Sequence, residues 1–291
     1  MTSESRILVA GAALACAAMF DSAASAAEGV HPQIWPDVRS RGLIDAPTEA
    51  RIDELLARLT LEEKVGQIIQ TDISAVTPGD LRRYPLASIL AGGNGGPGGD
   101  DRASAQAWLQ LAREFRAVSL EARPGHTPIP VMFGIDAVHG HNNILGAVIF
   151  PHNIGLGAAH DPELVRRIGS ATAEAVAATG IDWTFAPTLA VPQDIRWGRT
   201  YEGFSQDPTL VREYARAAVV GLQGPPELSG KLQAGRVAAT GKSFLGEGGT
   251  LGGVDMGDTQ VSESELIRLH AQGYAAAIDA GVMTIMASYS S

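Results

Sequence analysis

Short apolar segments alternate with helical segments along the chain, and this alternation restricts the fold more than any other sequence feature. About six segments have the length and composition of buried strands: residues 68–69, 89–90, 128–135, 181–185, 236–239 and 282–287. Helical patterns separate or flank them at residues 51–59, 60–65, 104–122, 161–178, 208–222 and 262–280. Such alternation predicts a parallel sheet covered by helices on both faces.

Several predicted helices carry start and stop signals. Thr60 with Glu63, and Ser262 with Glu265, have the spacing of capping boxes. Asp161 precedes Pro162, which is the pattern of an N-cap followed by proline in the first turn. Helix boundaries are therefore predicted with more support than strand boundaries.

The order of elements predicts an α/β fold of the (β/α)8 TIM-barrel type, incomplete at its C-terminal end, with about six of eight units present. A doubly wound open sheet is the alternative, although no Walker motif is present and no convincing G-x-G-x-x-G joins a strand to a helix. We expect a signal peptide at residues 1–26, a lead-in segment at 27–50 and the partial barrel domain at 51–291.

The first residues have the pattern of a secretory signal peptide. Arg6 precedes an apolar run at residues 7–20, and Ala24-Ser25-Ala26 offers a cleavage site. We expect an exported protein, periplasmic or extracellular, with no membrane segment after signal removal, because the run is shorter than the about 20 residues that span a bilayer. A lipid anchor at Cys16, the one cysteine, is disfavoured because its lipoprotein box lacks leucine at the first position.

Composition restricts the classes of partner. The 291 residues are 45% hydrophobic and 19% charged, enough for a sizeable core, and carry a net charge of −10. No run of lysine and arginine is present, so we expect no nucleic-acid partner. A neutral small molecule or a sugar fits this composition better, and the oligomeric state stays open.

Candidate functional side chains follow the carboxyl ends of the predicted strands, where parallel α/β folds place their active sites. Asp136, directly after Ile135, offers carboxylate oxygens suited to neighbouring sugar hydroxyls. Arg199 lies in a long aromatic and charged loop, and its guanidinium can hold a carboxylate or hydroxyls. Lys242, in the loop after the fifth strand candidate, can donate hydrogen bonds to a substrate.

Each of these residues also has a structural interpretation. Asp136 suits a loop cap, and Arg199 suits a salt bridge to Glu202 or Asp207. Lys242 suits an ordinary solvated lysine, so the residues alone leave their roles open.

His139 and His141 form an H-x-H pair, which on an extended segment would direct both imidazoles to one side and suit a metal ion. A metal-dependent barrel hydrolase is therefore the alternative from another enzyme class. Against it, the pair follows the third strand candidate rather than the first, and His270 falls inside a helical pattern. Asn142 and Asn143 indicate a hydrogen-bonded loop instead.

Four long stretches resemble the glycoside hydrolases of family three, most closely the branch of exo-acting β-glucan glucohydrolases and β-glucosidases. They are GIDAVHGHNNILGAVIFPHNIGLGAAHDPELVRRIG, ATGIDWTFAPTLAVPQDIRWGRTYEGFSQDP, GKSFLGEGGT and VMTIMASYSS, preceded by LTLEEKVGQ. The resemblance runs from about residue 50 to the end, with these motifs in order. It implies a (β/α)8-type barrel, followed in complete members by an α/β sandwich domain.

The resemblance also implies an activity and a binding site. The activity is retaining hydrolysis of terminal non-reducing β-D-glucosyl residues from β-glucans or β-glucosides, with no metal or organic cofactor. Matching motif to motif, Asp136, Arg199 and Lys242 would bind the innermost glucosyl unit, and Tyr289 would line the edge of that subsite.

This chain departs from the family pattern at two positions. Ser243 stands where the family usually has histidine, so a water is expected to replace the imidazole near a sugar hydroxyl, or binding weakens. Glu247 stands where aspartate is frequent, which is expected only to shift the loop. The loop LGEGGT does not resemble that of the branch that cleaves N-acetylglucosaminides.

Retaining hydrolysis needs a nucleophile and an acid/base carboxylate about 5–5.5 Å apart. The resemblance implies that both lie beyond Ser291, so carboxylates such as Asp136 are expected to bind rather than to catalyse. We therefore expect the 291 residues to be inactive alone. A non-catalytic carbohydrate-binding fragment is the alternative function.

Overall fold

A computed structural model describes residues 30–40, 45–93, 95–226 and 231–291, in two compact units that span 1–35 and 36–291. The described part of the first unit contains a short 3₁₀ turn, Pro32–Ile34. The predicted signal peptide at residues 1–26, with Cys16, lies outside the described residues. Within the described ranges, no helix has the length and apolarity needed to cross a membrane.

The helices of the second unit begin mostly where the sequence supplies capping groups. They are α1 (Ala46–Arg58), α2 (Leu61–Gly66), α3 (Ala105–Ser119), α4 (Asn153–Ala158), α5 (Pro162–Ala178), α6 (Pro208–Gln223), α7 (Glu263–Glu265) and α8 (Gln272–Asp279). The two predicted capping boxes are formed, and Asp161 caps α5 through the backbone N–H of Leu164. A π-helical turn, Leu266–His270, interrupts the helix predicted over residues 262–280.

The strands follow one another in parallel and in chain order. They are β1 (Gln70–Asp72), β2 (Ser88–Ala91), β3 (Met132–Ile135), β4 (Trp183–Thr184), β5 (Thr240–Phe244) and β6 (Thr284–Ala287). The first four form one sheet in the order β1-β2-β3-β4, and β5 pairs with β6. Isolated parallel bridges, Trp183 to Ala238 and Thr188 to Lys242, connect the two sheets.

This topology is that of a TIM-barrel-like α/β fold, which confirms the fold prediction. A doubly wound sheet would reverse its strand order near the middle, whereas here every described strand lies beside its neighbour in sequence. Because β1 and β6 are the outermost described strands, the arrangement corresponds to an incomplete barrel. The carboxyl ends of all these parallel strands therefore lie at the same end of the sheet.

The fifth strand lies further along the chain than predicted. Residues 236–239 were expected to form it, with Lys242 in the loop beyond, but β5 is Thr240–Phe244 and includes Lys242. The backbone of Lys242 is bonded on one side, since its N–H donates to the Pro187 carbonyl and its carbonyl accepts from Leu189, while β6 pairs on the other side. Glycine, lysine and serine carry no apolar pattern, so sequence periodicity misses this strand.

Trp183 connects the strands inside the sheet. Its indole N–H lies 2.9 Å from the hydroxyl of Thr240 and 3.0 Å from that of Thr284. The three side chains come from β4, β5 and β6, so this contact holds successive strands together on the inner face. Larger buried side chains such as Trp108 and Phe115 fill the layer between helices and sheet.

Glu63 ties the first helices to the loop before β3. Its carboxylate accepts the backbone N–H of Thr127 at 2.6 Å and that of Thr60 at 3.0 Å, and lies 3.3 Å from Nδ1 of His126. Burial alone would raise the pKa of Glu63, but these hydrogen bonds and the imidazole outweigh it and lower the pKa. The LTLEEKVGQ motif thus has a structural role, far from the strand ends that carry the site.

Candidate functional site

Asp136 and Lys242 meet at the carboxyl ends of the strands. Asp136 directly follows β3, as predicted, and its Oδ1 accepts a hydrogen bond of 2.8 Å from Nζ of Lys242 on β5. The two side chains are 31% and 16% exposed, so solvent and a ligand can still reach the pair. A charge-assisted hydrogen bond between partly buried groups holds both in place.

Arg199 is held by two carboxylates. Its Nε and Nη2 donate to the two oxygens of Glu202 at 2.7 and 2.9 Å, and its Nη1 donates to Oε1 of Glu247 at 2.7 Å. Glu202 belongs to a 3₁₀ turn, Thr200–Glu202, whereas Glu247 follows β5 and is only 2% exposed. Hydrogen bonding to Glu202 raises the pKa of Arg199 further above its ordinary value, although burial opposes this.

The charges of both ion-pair groups act on His139. Burial lowers the pKa of His139, the charges of His152 and Lys242 lower it further, and the carboxylate of Glu202 raises it. The Lys242 ammonium and the Glu202 carboxylate thus act on the same imidazole. The loops after β4 and β5 are also joined directly, because the backbone N–H of Gln193 donates to the carbonyl of Gly248 at 2.8 Å. The structure thus brings Asp136 and Lys242 into direct contact and places Arg199 in the loop after the neighbouring strand β4, at the same end of the sheet.

Ser243 and Tyr289 lie at the same end but differ in exposure. Ser243 is buried, has a φ of +78°, and is the extra residue of a bulge where β5 shifts register against β6. A bulge re-aims the neighbouring side chains, which here include Lys242. Tyr289 lies just beyond β6 and is 75% exposed, so its ring stands at the rim rather than against the ion pairs.

The arrangement offers fixed hydrogen-bond donors and acceptors at one end of the sheet. Lys242 and Arg199 supply N–H groups, while Asp136 supplies carboxylate oxygens beside them. A sugar hydroxyl both donates and accepts, so adjacent hydroxyls can bind to such a pair at once. The same three side chains are not arranged as metal ligands, because two of them are cations.

The imidazoles of the H-x-H pair have different partners. Nε2 of His139 lies 2.8 Å from Nδ1 of His152, whereas Nε2 of His141 lies 3.0 Å from the hydroxyl of Thr179 in the core. Across the described ranges, no group of three or more His, Cys, Asp or Glu side chains is placed to hold a metal ion. The geometry therefore does not favour the metal-dependent alternative.

Two buried imidazoles make the stability of the fold depend on pH. Burial lowers the pKa of His141 and of His270 to about 4, whereas an imidazole in an unfolded chain titrates near about 6.5. Between these values the unfolded chain binds protons that the folded chain does not. The free energy of unfolding is therefore highest above about pH 6.5 and falls as the pH drops towards about 4, by on the order of 3 kcal/mol for each group.

We expect His270→Leu to remove about half of this acid destabilisation, because one of two similar groups is lost. Urea unfolding at about pH 7 and about pH 4.5 measures it. His160→Asn is the matched control, since His160 is exposed and has a φ of +50°, which asparagine tolerates. Equal losses of stability in the wild type and in His270→Leu between the two pH values would contradict the explanation.

Sequence reasoning missed part of this site. The partnership of Glu247 with Arg199 spans 48 residues and has no local signal in the sequence. The pairing of His139 with His152 was also missed. The salt bridge of Arg199 was predicted to Glu202 or Asp207; it forms with Glu202, whereas Asp207 accepts the backbone N–H of Thr209.

Comparison with known proteins places this geometry in context. The model of the family described as "Glycosyl hydrolase family 3 N terminal domain" matches residues 60–291. A lysosomal β-glucosidase of Dictyostelium discoideum is 32% identical over 81% of the chain. A periplasmic β-glucosidase of Salmonella typhimurium is 28% identical over 90% of the chain. The chain spans only 30% of the length of each of these two relatives.

Solved structures agree with the fold. The exo-1,3/1,4-β-glucanase from a Pseudoalteromonas species is 47% identical, with a TM-score of 0.84 over 88% of this chain and 32% of its own. A β-glucosidase from Listeria innocua, solved as a variant in complex with laminaribiose, is 26% identical, with a TM-score of 0.67 over 84% of this chain and 33% of its own.

Proposed function

The chain belongs to glycosyl hydrolase family 3, and from this premise we propose that its strand-end site binds the terminal non-reducing β-D-glucosyl unit of a β-glucan or β-glucoside. The observation that carries the proposal is the Asp136–Lys242 ion pair, because its two members stand at the barrel end with polar atoms exposed to a ligand. The Listeria innocua structures with laminaribiose and with glucose support a glucoside as ligand.

Arg199 completes the donor set. Its guanidinium is pre-positioned by Glu202 and Glu247, so binding a sugar costs little further loss of side-chain freedom. The charges of Lys242 and of Glu202, the partner of Arg199, both act on His139, which supports a role for Arg199 at the same ligand. Ser243 and the rim residue Tyr289 are proposed to contribute shape, through the bulge of β5 and a ring at the edge.

The reaction we propose for the protein is hydrolysis of that glucosyl unit with retention of configuration, which requires a nucleophile and an acid/base carboxylate. Asp136 is paired with Lys242, and both Glu202 and Glu247 are paired with Arg199. A carboxylate whose oxygens are engaged with a cation is less free to attack a sugar carbon or to reach a leaving group. These three carboxylates therefore serve binding, and catalysis needs others.

Calorimetric titration of the 291-residue chain with glucose tests the binding proposal. We expect saturable binding at one site, with galactose, which differs at a single hydroxyl, binding more weakly. Incubation with an aryl β-glucoside is expected to give no sustained product release, because the three carboxylates are held as ion pairs. Absence of glucose binding would refute the binding site, and sustained release would assign a catalytic role to one of the three.

A further inference from the structure

His139 and His152 form a hydrogen-bonded imidazole pair beside the proposed sugar site. Nε2 of His139 and Nδ1 of His152 are 2.8 Å apart, and the rings are nearly perpendicular, at 88°, with centroids 4.1 Å apart. A separation of 2.8 Å requires one hydrogen between the two nitrogens, so one ring donates and the other accepts. The pair can take up one extra proton, but a second would place two N–H groups against each other.

The pair connects two loops that carry different parts of the site. His139 lies three residues after Asp136, and its carbonyl accepts the backbone N–H of Phe150. His152 stacks edge-on against the ring of Tyr201, with centroids 4.7 Å apart. His139 is thus close in sequence to Asp136, and Tyr201, which His152 contacts, is close in sequence to Arg199.

Asn153, the residue after His152, also contacts the 3₁₀ turn Thr200–Glu202. Nδ2 of Asn153 donates to the carbonyl of Glu202 at 2.8 Å, and Asn153 is buried. The 3₁₀ turn that orients Arg199 through Glu202 is thus held by two neighbouring residues at the start of α4. Among the side-chain contacts described above, only the His139–His152 pair connects these two residues at the start of α4 to the segment that follows Asp136.

Charged side chains surround the imidazole pair, so a proton added to it changes the electrostatics of the site. Lys242 faces it from β5, Glu202 from the 3₁₀ turn, and Asp136 lies on its own loop, paired with Lys242. Burial is the largest effect and lowers the pKa of His139, so the neutral form is favoured near neutral pH. A proton added in acid places a positive charge that is repelled by Lys242 and competes with Arg199 for Glu202.

We propose that His139 and His152 are positioning residues for the sugar site, which fix the Arg199–Glu202 turn relative to the Asp136–Lys242 pair, and that sugar binding weakens when His139 gains a proton. The inference rests on the proposed function, because it assumes that the two ion-pair groups bind one ligand. Neither imidazole touches the sugar in this role. Each acts through the residue that it holds in place.

The structure supplies near-isosteric substitutions for the test. A glutamine amide can replace Nε2 of His139, and an asparagine amide can replace Nδ1 of His152, so the double variant His139→Gln/His152→Asn keeps a hydrogen bond without a titratable group. We expect wild-type glucose affinity to fall as the pH drops from about 7.5 to about 5, by at most about tenfold, because burial lowers the pKa of His139 below the ordinary histidine value. The double variant should bind as the wild type does at the higher pH and keep that affinity at the lower.

His152→Ala should bind glucose about tenfold more weakly even near about pH 7.5, because it removes the link altogether. His160→Asn, an exposed histidine after α4, is the control and should keep the pH dependence of the wild type. Equal pH dependence in the wild type and the double variant would overturn the proposal. So would full affinity in His152→Ala.

A second measurement does not depend on glucose. In ligand-free protein, the backbone amide NMR signals of Asp136 and Glu202 should shift together with the imidazole titration, and should stay constant in the double variant. Failure of the wild type to bind glucose would refute the proposed function alone. Amide signals of Asp136 and Glu202 that stay constant while the imidazole titrates would refute the positioning role.

Discussion

Replacing Lys242 with methionine is expected to weaken glucose binding about 100-fold, because a hydrogen bond to a charged group contributes up to about 3 kcal/mol. The substitution removes an N–H donor from the site and also leaves the carboxylate of Asp136, 2.8 Å away, without its cation. That carboxylate would recruit water in place of the ammonium, which disturbs the acceptor offered to a sugar hydroxyl. Calorimetric titration with glucose at neutral pH measures the loss.

Two further variants separate the effects of charge and of position. Asp136→Asn keeps the shape of the acceptor while removing its charge, so its loss of affinity should be smaller than that of Lys242→Met. Lys64→Met, on an exposed face of α2 far from the strand ends, should bind as the wild type does. Unchanged affinity in Lys242→Met would remove the ion pair from the binding site.

Replacing Arg199 with methionine is expected to destabilise the fold by about 3–5 kcal/mol, in addition to abolishing glucose binding. The guanidinium is the hydrogen-bonding partner of Glu247, whose side chain is 2% exposed, and of Glu202, whose side chain is 15% exposed. Without it, two largely buried carboxylates remain beside each other, and the desolvation penalty of a buried charge has no compensation. Thermal unfolding should show a melting temperature lower by roughly 10 °C.

The cause can be tested with a second substitution in the same background. Arg199→Met/Glu247→Gln should recover a substantial part of the lost stability, because the most buried uncompensated charge has been removed. Arg113→Met, an exposed arginine on α3, should change the melting temperature little. If the double variant were no more stable than Arg199→Met, the destabilisation would have another origin, such as lost packing over the Trp197 ring.

These expectations also explain how one residue serves two purposes. Arg199 is oriented by two carboxylates that lie on loops after different strands, so the contact that stabilises the barrel end also fixes a group that we propose binds the ligand. Ser243 shows the same combination, since the bulge at its positive φ changes the direction of the neighbouring Lys242. We therefore expect substitutions at these positions to change stability and binding together.

Local sequence patterns determined most of the elements of this protein. The capping boxes at Thr60 and Ser262 and the cap at Asp161 act over three or four residues, so their chemistry is complete within the sequence that forms them. The alternation of strands and helices likewise indicated the parallel, barrel-like order, and the position of Asp136 after a strand end followed from it. These features depend on neighbours in sequence, which a single chain displays directly.

Only the tertiary structure decided which side chains meet. The Lys242–Asp136 bond spans 106 residues and the Arg199–Glu247 bond spans 48, and the sequence alone left each residue with a solvated or structural alternative. The same holds for the extent of β5, where Gly241, Lys242 and Ser243 become strand because neighbouring strands bond their backbone. Such contacts depend on strand register and loop packing, which result from many weak interactions between residues far apart in sequence. No short sequence pattern predicts them.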